Sequence, residues 1–348
     1  MQETIVKLTQ YSHAAGCGSK IAPAILSQML ESAGGHNLFP NLLVGNETSD
    51  DAAIYELENN QCLVSTADFF MPIVDAAYDF GRVAAANALS DVYAMGGKPI
   101  LALALLGWPI EKLPLNVAKE VLAGGTYICA QAKVPIAGGH TIENPEPFFG
   151  YSVTGLVEKK NIKRNNTAQT GDLLFLTKPL GTGILSTALK RNLISAESFQ
   201  PAIELMCALN NIGEQLGTIS EVNAMTDVTG FGLLGHLNEI CIGSGLSAEI
   251  NYEKIKLIEG VKELAKKFVA PDNTFRNWNN YEASAEGIDG ERLVTLCDPQ
   301  TNGGLLVAIN EKACNSFIKI LKENGMEAFA EPIGVMKEKT DVKIVSVK

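Results

Sequence analysis

Cys17 stands in Gly16-Cys17-Gly18-Ser19-Lys20, where glycines remove bulk from around the sulfur and a lysine three residues on supplies positive charge. A nearby cation favours the thiolate, the form of cysteine that attacks electrophiles. The same residues allow a second reading, with Cys17 a small apolar side chain and Lys20 directed elsewhere. The glycine-rich, non-periodic setting counts against burial in a regular core.

A set of carboxylates is the second signal. Asp50 and Asp51 are adjacent after Gly45-Asn46-Glu47-Thr48-Ser49, Asp68 closes the apolar run from Leu63, and Asp227 follows Met225-Thr226 and precedes Val228-Thr229-Gly230. Asp91 lies four residues after Asn87 in an alanine-rich stretch, so on a helix both project from one face. Magnesium takes hard oxygen ligands, commonly one or two carboxylates with phosphate oxygens and water. Each aspartate singly is also an ordinary cap or turn residue. Two glycine pairs, in Ala137-Gly138-Gly139-His140-Thr141 and Thr301-Asn302-Gly303-Gly304, offer backbone N–H groups to a phosphate, or form plain turns. Neither G-x-x-x-x-G-K-[ST] nor a G-x-G-x-x-G after a strand is present. The four histidines (13, 36, 140 and 236) show no metal spacing, and His236 after Gly235 reads as structural.

Elements must bring these residues together. Strands are expected over 62–70, 100–106, 151–157, 173–177 and 305–309, the run 100–106 as a buried strand. Helices are expected over 23–32, 80–95, 117–132, 184–193, 203–216, 261–268 and 312–323. Residues 137–141 and the segment around Asp227 read as glycine loops. The polar, largely cationic stretch 158–167 marks a boundary. The fold class is α+β, two mixed α/β domains over 51–157 and 158–348, preceded by a flexible glycine-rich segment over 1–50.

Composition narrows the function classes. The chain has 348 residues, 46% hydrophobic, with 28 basic and 39 acidic side chains and a net charge of −11. That balance opposes binding to nucleic acid or an anionic membrane surface. It does not oppose ATP, because lysines and metal ions can reverse a local field. No basic and apolar leader opens the sequence, and the most apolar stretch, 99–110, is too short to span a bilayer. Seven scattered cysteines without a Cys-x-x-Cys pair suit a reducing cytoplasm.

Together these segments resemble the selenophosphate synthetase family over essentially the whole chain. The resemblance rests on Tyr11-Ser12-His13 through Lys20, Leu43 through Ala53, Ser65 through Asp75, Asn87 through Pro99, Ala137 through Thr141, Met225 through Gly232 and Leu296 through Thr301. The Asp227 and Gly-Gly stretches are similar to the wider aminoimidazole ribonucleotide synthetase superfamily, and the segment from Cys17 to Lys20 points to this family within it. The resemblance implies conversion of ATP, selenide and water to selenophosphate, AMP and phosphate, supplying selenium for selenocysteine and selenouridine. It implies a homodimer paired through the first domain, with ATP near the interface. By position, Cys17 and Lys20 would be catalytic, Lys20 also contacting ATP phosphates. Asp51, Asp91 and Asp227 would hold Mg²⁺. Thr48, Ser49, Asp50, Asp68 and Asp91 would line the nucleotide, with Gly139, His140 and Thr141 supplied by the partner chain. Ser19 stands where many relatives have a second cysteine, so no redox pair forms in this loop, and Asn302 stands where serine is common.

Two other readings remain at this point. A different ATP-dependent enzyme of the superfamily explains the aspartates but gives Cys17 and Lys20 no task. A non-catalytic thiol sensor leaves the aspartates and glycine loops unexplained.

Overall fold

The computed structural model describes residues 6–12, 16, 29, 39–45, 50–340 and 343–348. Cys17, Lys20, Thr48 and Ser49 lie outside the described residues, as does the helix expected over 23–32 apart from Met29.

Among the described residues the first sheet has six strands: β1 (Leu42–Val44), β2 (Ala53–Glu56), β3 (Gln61–Phe70), β4 (Lys98–Trp108), β5 (Ile136–Glu143) and β6 (Phe148–Glu158). Their order is β1-β2-β3-β6-β4-β5, antiparallel except for the parallel pair β4 and β5. Helices α1 (Ala77–Ala94) and α2 (Leu115–Gln131) cover one face. Phe80 of α1 meets Phe70 and Phe149 of the sheet, with ring centroids 6.0 and 6.3 Å apart. The apolar run 100–106 lies within β4, but Ile100 is 39% and Leu103 40% exposed. The expected burial on both sides fails because helices cover only the inner face. The expected glycine loop 137–141 is strand β5. Glycine is required there: at φ +158°, Gly139 lies so close to β4 that a Cβ would fall 1.9 Å from the Ala104 carbonyl oxygen.

The second sheet runs β10-β13-β9-β12-β7-β11-β8. Its strands are β7 (Leu173–Leu176), β8 (Val222–Asp227), β9 (Ser247–Ile250), β10 (Ala285–Glu286), β11 (Leu305–Ile309), β12 (Gly334–Lys337) and β13 (Val345–Val347). All of β11 is buried, as its unbroken Leu-Leu-Val-Ala-Ile run dictates. Helices α3 (Thr182–Lys190), α4 (Ala196–Cys207), α5 (Ile212–Gly217), α6 (Gly232–Ser244), α7 (Val261–Lys266), α8 (Asp272–Tyr281), α9 (Gly290–Leu296) and α10 (Cys314–Glu323) accompany it. The single helix expected over 203–216 is two, α4 and α5, because the backbone at Ala208 turns extended (φ −70°, ψ 125°) before Asn210 and Asn211. The segment after Asp227, read as a glycine loop, becomes helix α6, which stops at left-handed Gly245.

Helix α1 joins the two sheets. Every residue from 83 to 90 is buried, the signature of a helix enclosed on all sides, and its alanines let neighbours approach closely. Arg82 of α1 bridges Asp79 at 2.9 Å and Glu204 of α4 at 2.8 Å. Residues at the inner turns of α1 therefore face the seam between the sheets.

Candidate active site at the seam

Five aspartates gather where β3 and α1 meet the end of β8. On β3, Thr66 and Asp68 share a face because strand side chains alternate. Thr66 Oγ1 donates to Asp91 Oδ2 at 2.5 Å, and Asn87 Nδ2 donates to Asp68 Oδ2 at 2.7 Å. Asn87 and Asp91 thus share the helix face that their spacing predicts. From the second sheet, Thr226 Oγ1 donates to Asp51 Oδ1 at 2.8 Å, and Asp227 Oδ2 accepts from Ser90 of α1 at 2.5 Å. Asp50 accepts the Asn165 backbone N–H at 2.8 Å.

Burial and then repulsion set the electrostatics. Burial pushes the Asp51 carboxyl well above the usual carboxylate range, and the charges of Asp227, Asp91 and then Asp50 push it further. The Thr226 hydroxyl opposes this only partly. Asp51 Oδ2 is buried with no hydrogen-bond partner among the described residues. A partly buried cluster of carboxylates with an unused buried oxygen suits a cation. Among the described residues, no group of three or more His, Cys, Asp or Glu side chains is by itself arranged to hold a metal ion. Magnesium does not need a complete protein set, since it keeps water and takes phosphate oxygens.

The remaining sequence candidates fall elsewhere. Gly139, His140 and Thr141 are exposed on edge strand β5, three strand spacings from β3, or roughly 14 Å. Gly16 is the described residue nearest in sequence to Cys17. Its N–H donates to the Met71 carbonyl at 3.0 Å, and at φ +52° an added Cβ would lie 2.7 Å from Thr301 Oγ1. The chain entering the Cys17 segment is therefore seated beside the Asn302 loop. His236 is structural, its Nε2 accepting the Thr229 N–H at 3.1 Å. The six described cysteines are free; burial pushes Cys129, Cys207, Cys241 and Cys297 up to about 12, far from reactivity at neutral pH.

Thr66, Ser90, Thr226 and Asn210 belong to this polar group and were not read as site residues; Asn302 joins them from the loop read as a phosphate cradle or turn. Thr66 and Ser90 had a signal: Thr66 is two before Asp68 on a strand, and Ser90 three after Asn87 on a helix. Asn210 had none, since its contact with Ser90 spans 120 residues.

This fold, with carboxylates from both halves meeting at one seam, defines an AIR synthase-related protein. Residues 49–157 match the AIR synthase related protein N-terminal domain, and residues 169–347 its C-terminal domain. Among solved structures, a thiamine-monophosphate kinase from Stenotrophomonas maltophilia superposes with TM-score 0.66 at 20% identity, over 95% of this chain and 96% of that one. The hydrogenase maturation protein HypE in complex with ATP gives TM-score 0.62 at 19% identity, over 96% and 90%. Sequence similarity goes further: the selenide, water dikinase of Escherichia coli (strain K12) is 52% identical over 330 residues, 95% of each chain. The chain belongs to the selenide, water dikinase family.

Proposed function

We infer that this enzyme converts ATP, selenide and water to selenophosphate, AMP and phosphate, the activated selenium serving selenocysteine and selenouridine synthesis. The observation that supports the site assignment is the gathering of Asp91 and Asp227 around Asp51, with a buried oxygen of Asp51 left unpaired. These three residues would hold Mg²⁺, which when bound offsets phosphate charge and stabilises the charge that develops during transfer. Asp50 and Asp68, with Thr48 and Ser49 from the preceding segment, line the nucleotide; Asp91 faces both metal and nucleotide. Cys17 serves as the catalytic thiol and Lys20 as the cation beside thiolate and phosphate. The position of Gly16 against Met71 supports this, because it brings the chain before Cys17 to the seam. Residues 1–50 act as the catalytic segment, 51–157 as the nucleotide, metal and dimerisation domain, and 158–348 as the second domain.

The enzyme works as a homodimer in the cytoplasm, without nucleic acid or membrane. No helix among the described residues is long and apolar enough to cross a membrane. The open face of the first sheet supports pairing: Phe69 is 52%, Leu103 40% and Ile142 44% exposed. By strand register these residues share one face, where Phe69 and Phe148 already stack at 5.3 Å. An apolar face of this kind marks a partner surface, and edge strand β5 beside it would carry Gly139, His140 and Thr141 to the partner's nucleotide.

The test is ATP consumption with and without selenide, with nucleotide products separated. Wild type should release AMP only when selenide is present, and Cys17→Ser should release none while keeping the wild-type melting temperature. Equal AMP from Cys17→Ser would return a different ATP-dependent chemistry to first place.

A further inference from the structure

We propose that Asn210 is a positioning residue that fixes how Ser90 presents its proton to Asp227, and so sets the geometry of the metal-facing carboxylate from the second domain. The inference rests on the metal reading given above.

The Ser90 hydroxyl has one proton and two lone pairs. Asn210 Nδ2 donates to Ser90 Oγ at 2.8 Å, which occupies a lone pair and leaves the Ser90 proton to be given away. It goes to Asp227 Oδ2, 2.5 Å distant. The amide of Asn210 is itself held in this sense, because the same nitrogen donates to the Gly303 carbonyl at 2.8 Å. A flipped amide would set its oxygen against that carbonyl. All the parts are enclosed, with Ser90 0%, Asn210 2% and Asp227 1% exposed, so water cannot replace a lost partner.

The anchor is the loop 302–303, which makes a second arm of the same design. The Asn302 N–H can only donate, and it donates to Asn87 Oδ1 at 2.7 Å. That turns Asn87 Nδ2 onto Asp68 Oδ2 at 2.7 Å. Asn87 and Ser90 are three apart on α1 and share a face, so one loop reaches two carboxylates through one helix. Asn302 sits at φ +48°, its side chain donating to the Met206 and Ala208 carbonyls at 2.6 and 2.8 Å. Lys178 Nζ donates to the Asn302 and Ala208 carbonyls at 2.8 and 2.7 Å. A purely structural loop needs its own backbone groups satisfied; here both arms end on carboxylates of the site.

The test is Mn²⁺ binding to the full chain, read by electron paramagnetic resonance in the presence of a non-hydrolysable ATP analogue. Wild type, Asn210→Leu, Ser90→Ala, the double variant and Asp227→Asn are compared. Asn210→Leu should weaken Mn²⁺ binding about tenfold, the scale on which outer partners of metal ligands act. Affinity for the analogue without metal should stay at the wild-type value. Because Asn210 acts through Ser90, the double variant should bind no more weakly than Ser90→Ala alone, whereas independent effects would multiply. Wild-type Mn²⁺ affinity in Asn210→Leu, or in Ser90→Ala should the leucine variant not fold, overturns the inference while Asp227→Asn still loses binding. Wild-type affinity in Asp227→Asn overturns the metal reading itself, and the role of Asn210 with it.

Discussion

Asp51, half-buried at the seam, and Asp298, buried inside the second domain, are both carboxylates that hold their protons too tightly, for different reasons. Asp298 is raised to about 8 by burial, against which Gln300 and the backbone N–H groups of Gly183 and Ile184 at the start of α3 work as donors. Gln300 Nε2 reaches its Oδ2 at 2.8 Å and the Gly183 N–H at 3.2 Å. No other carboxylate contributes to that shift. Asp172 is similar, raised by burial alone and held by Asn223 and the Gln169 N–H. At Asp51 the neighbours are other aspartates, and one hydroxyl is the opposing donor. Asp298 keeps one buried oxygen, Oδ1, without a partner, as Asp51 keeps Oδ2, but no other carboxylate acts on it, whereas the charges of Asp227, Asp91 and Asp50 all act on Asp51. That difference separates a structural acid from a ligand site, and burial by itself does not reveal it.

The largest effect should come from the seam. Asp227→Asn should lower selenide-dependent AMP formation about 100-fold or more, the scale of losing one electrostatic stabiliser in a transfer site. Asp298→Asn should leave turnover nearly unchanged. Steady-state rates at saturating Mg²⁺ check both, and equal losses would erase the distinction.

The two sheets differ in a parallel way, since β11 is wholly covered while the outer face bearing Leu103 is open. If the proposed dimer pairs through this face, Leu103→Glu would enclose an unpaired charge in it, costing about 3 kcal/mol, so its dissociation constant should rise roughly 100-fold. Sedimentation velocity over a concentration series reads this. An unchanged dimer would move the interface off this face.

A smaller effect concerns pH. The carboxyl of Asp298 would lose its proton near 4 in the unfolded chain and near 8 in the folded one. Between those values the folded state holds more protons, so this residue's contribution to stability falls as pH rises from about 4 to about 8. Asparagine does not titrate. Asp298→Asn should therefore gain on wild type as pH goes from 5 to 9, read as urea midpoints, and parallel curves would contradict the assignment.

The smallest effect is a gain. In metal-free enzyme, Asp51→Asn removes a carboxyl that burial and its neighbours penalise when charged, and should raise the melting temperature. Saturating Mg²⁺ with nucleotide should reverse the order of melting temperatures. A loss in the metal-free state would show that Asp51 is held by donors after all.

Much of this was legible in the sequence, for identifiable reasons. The strands at 62–70 and 305–309 follow from apolar runs of strand length, and Asp91 follows from its spacing to Asn87 within an alanine-rich helix. Strand β5 and helix α6 were hidden by glycines. Gly138 and Gly139 read as a turn, although Gly139 is glycine because β4 approaches it, and Gly230 and Gly232 read as loop although Gly232 opens a helix. The convergence of Asp51 and Asp91 with Asp227 came from family resemblance, since residues this distant carry no local signal of proximity. Nothing local marks Asn210, whose hydrogen bonds cross the seam.

Carboxylates from both halves of the chain would share one cation site at the seam. A crystal grown with Mn²⁺ and a non-hydrolysable ATP analogue, with data collected at the manganese absorption edge, tests this directly. Anomalous density should appear between Asp51, Asp91 and Asp227, bridged to phosphate oxygens and absent from Asp172 and Asp298. Density confined to the phosphates, with Asp227 turned away from it, would contradict the claim.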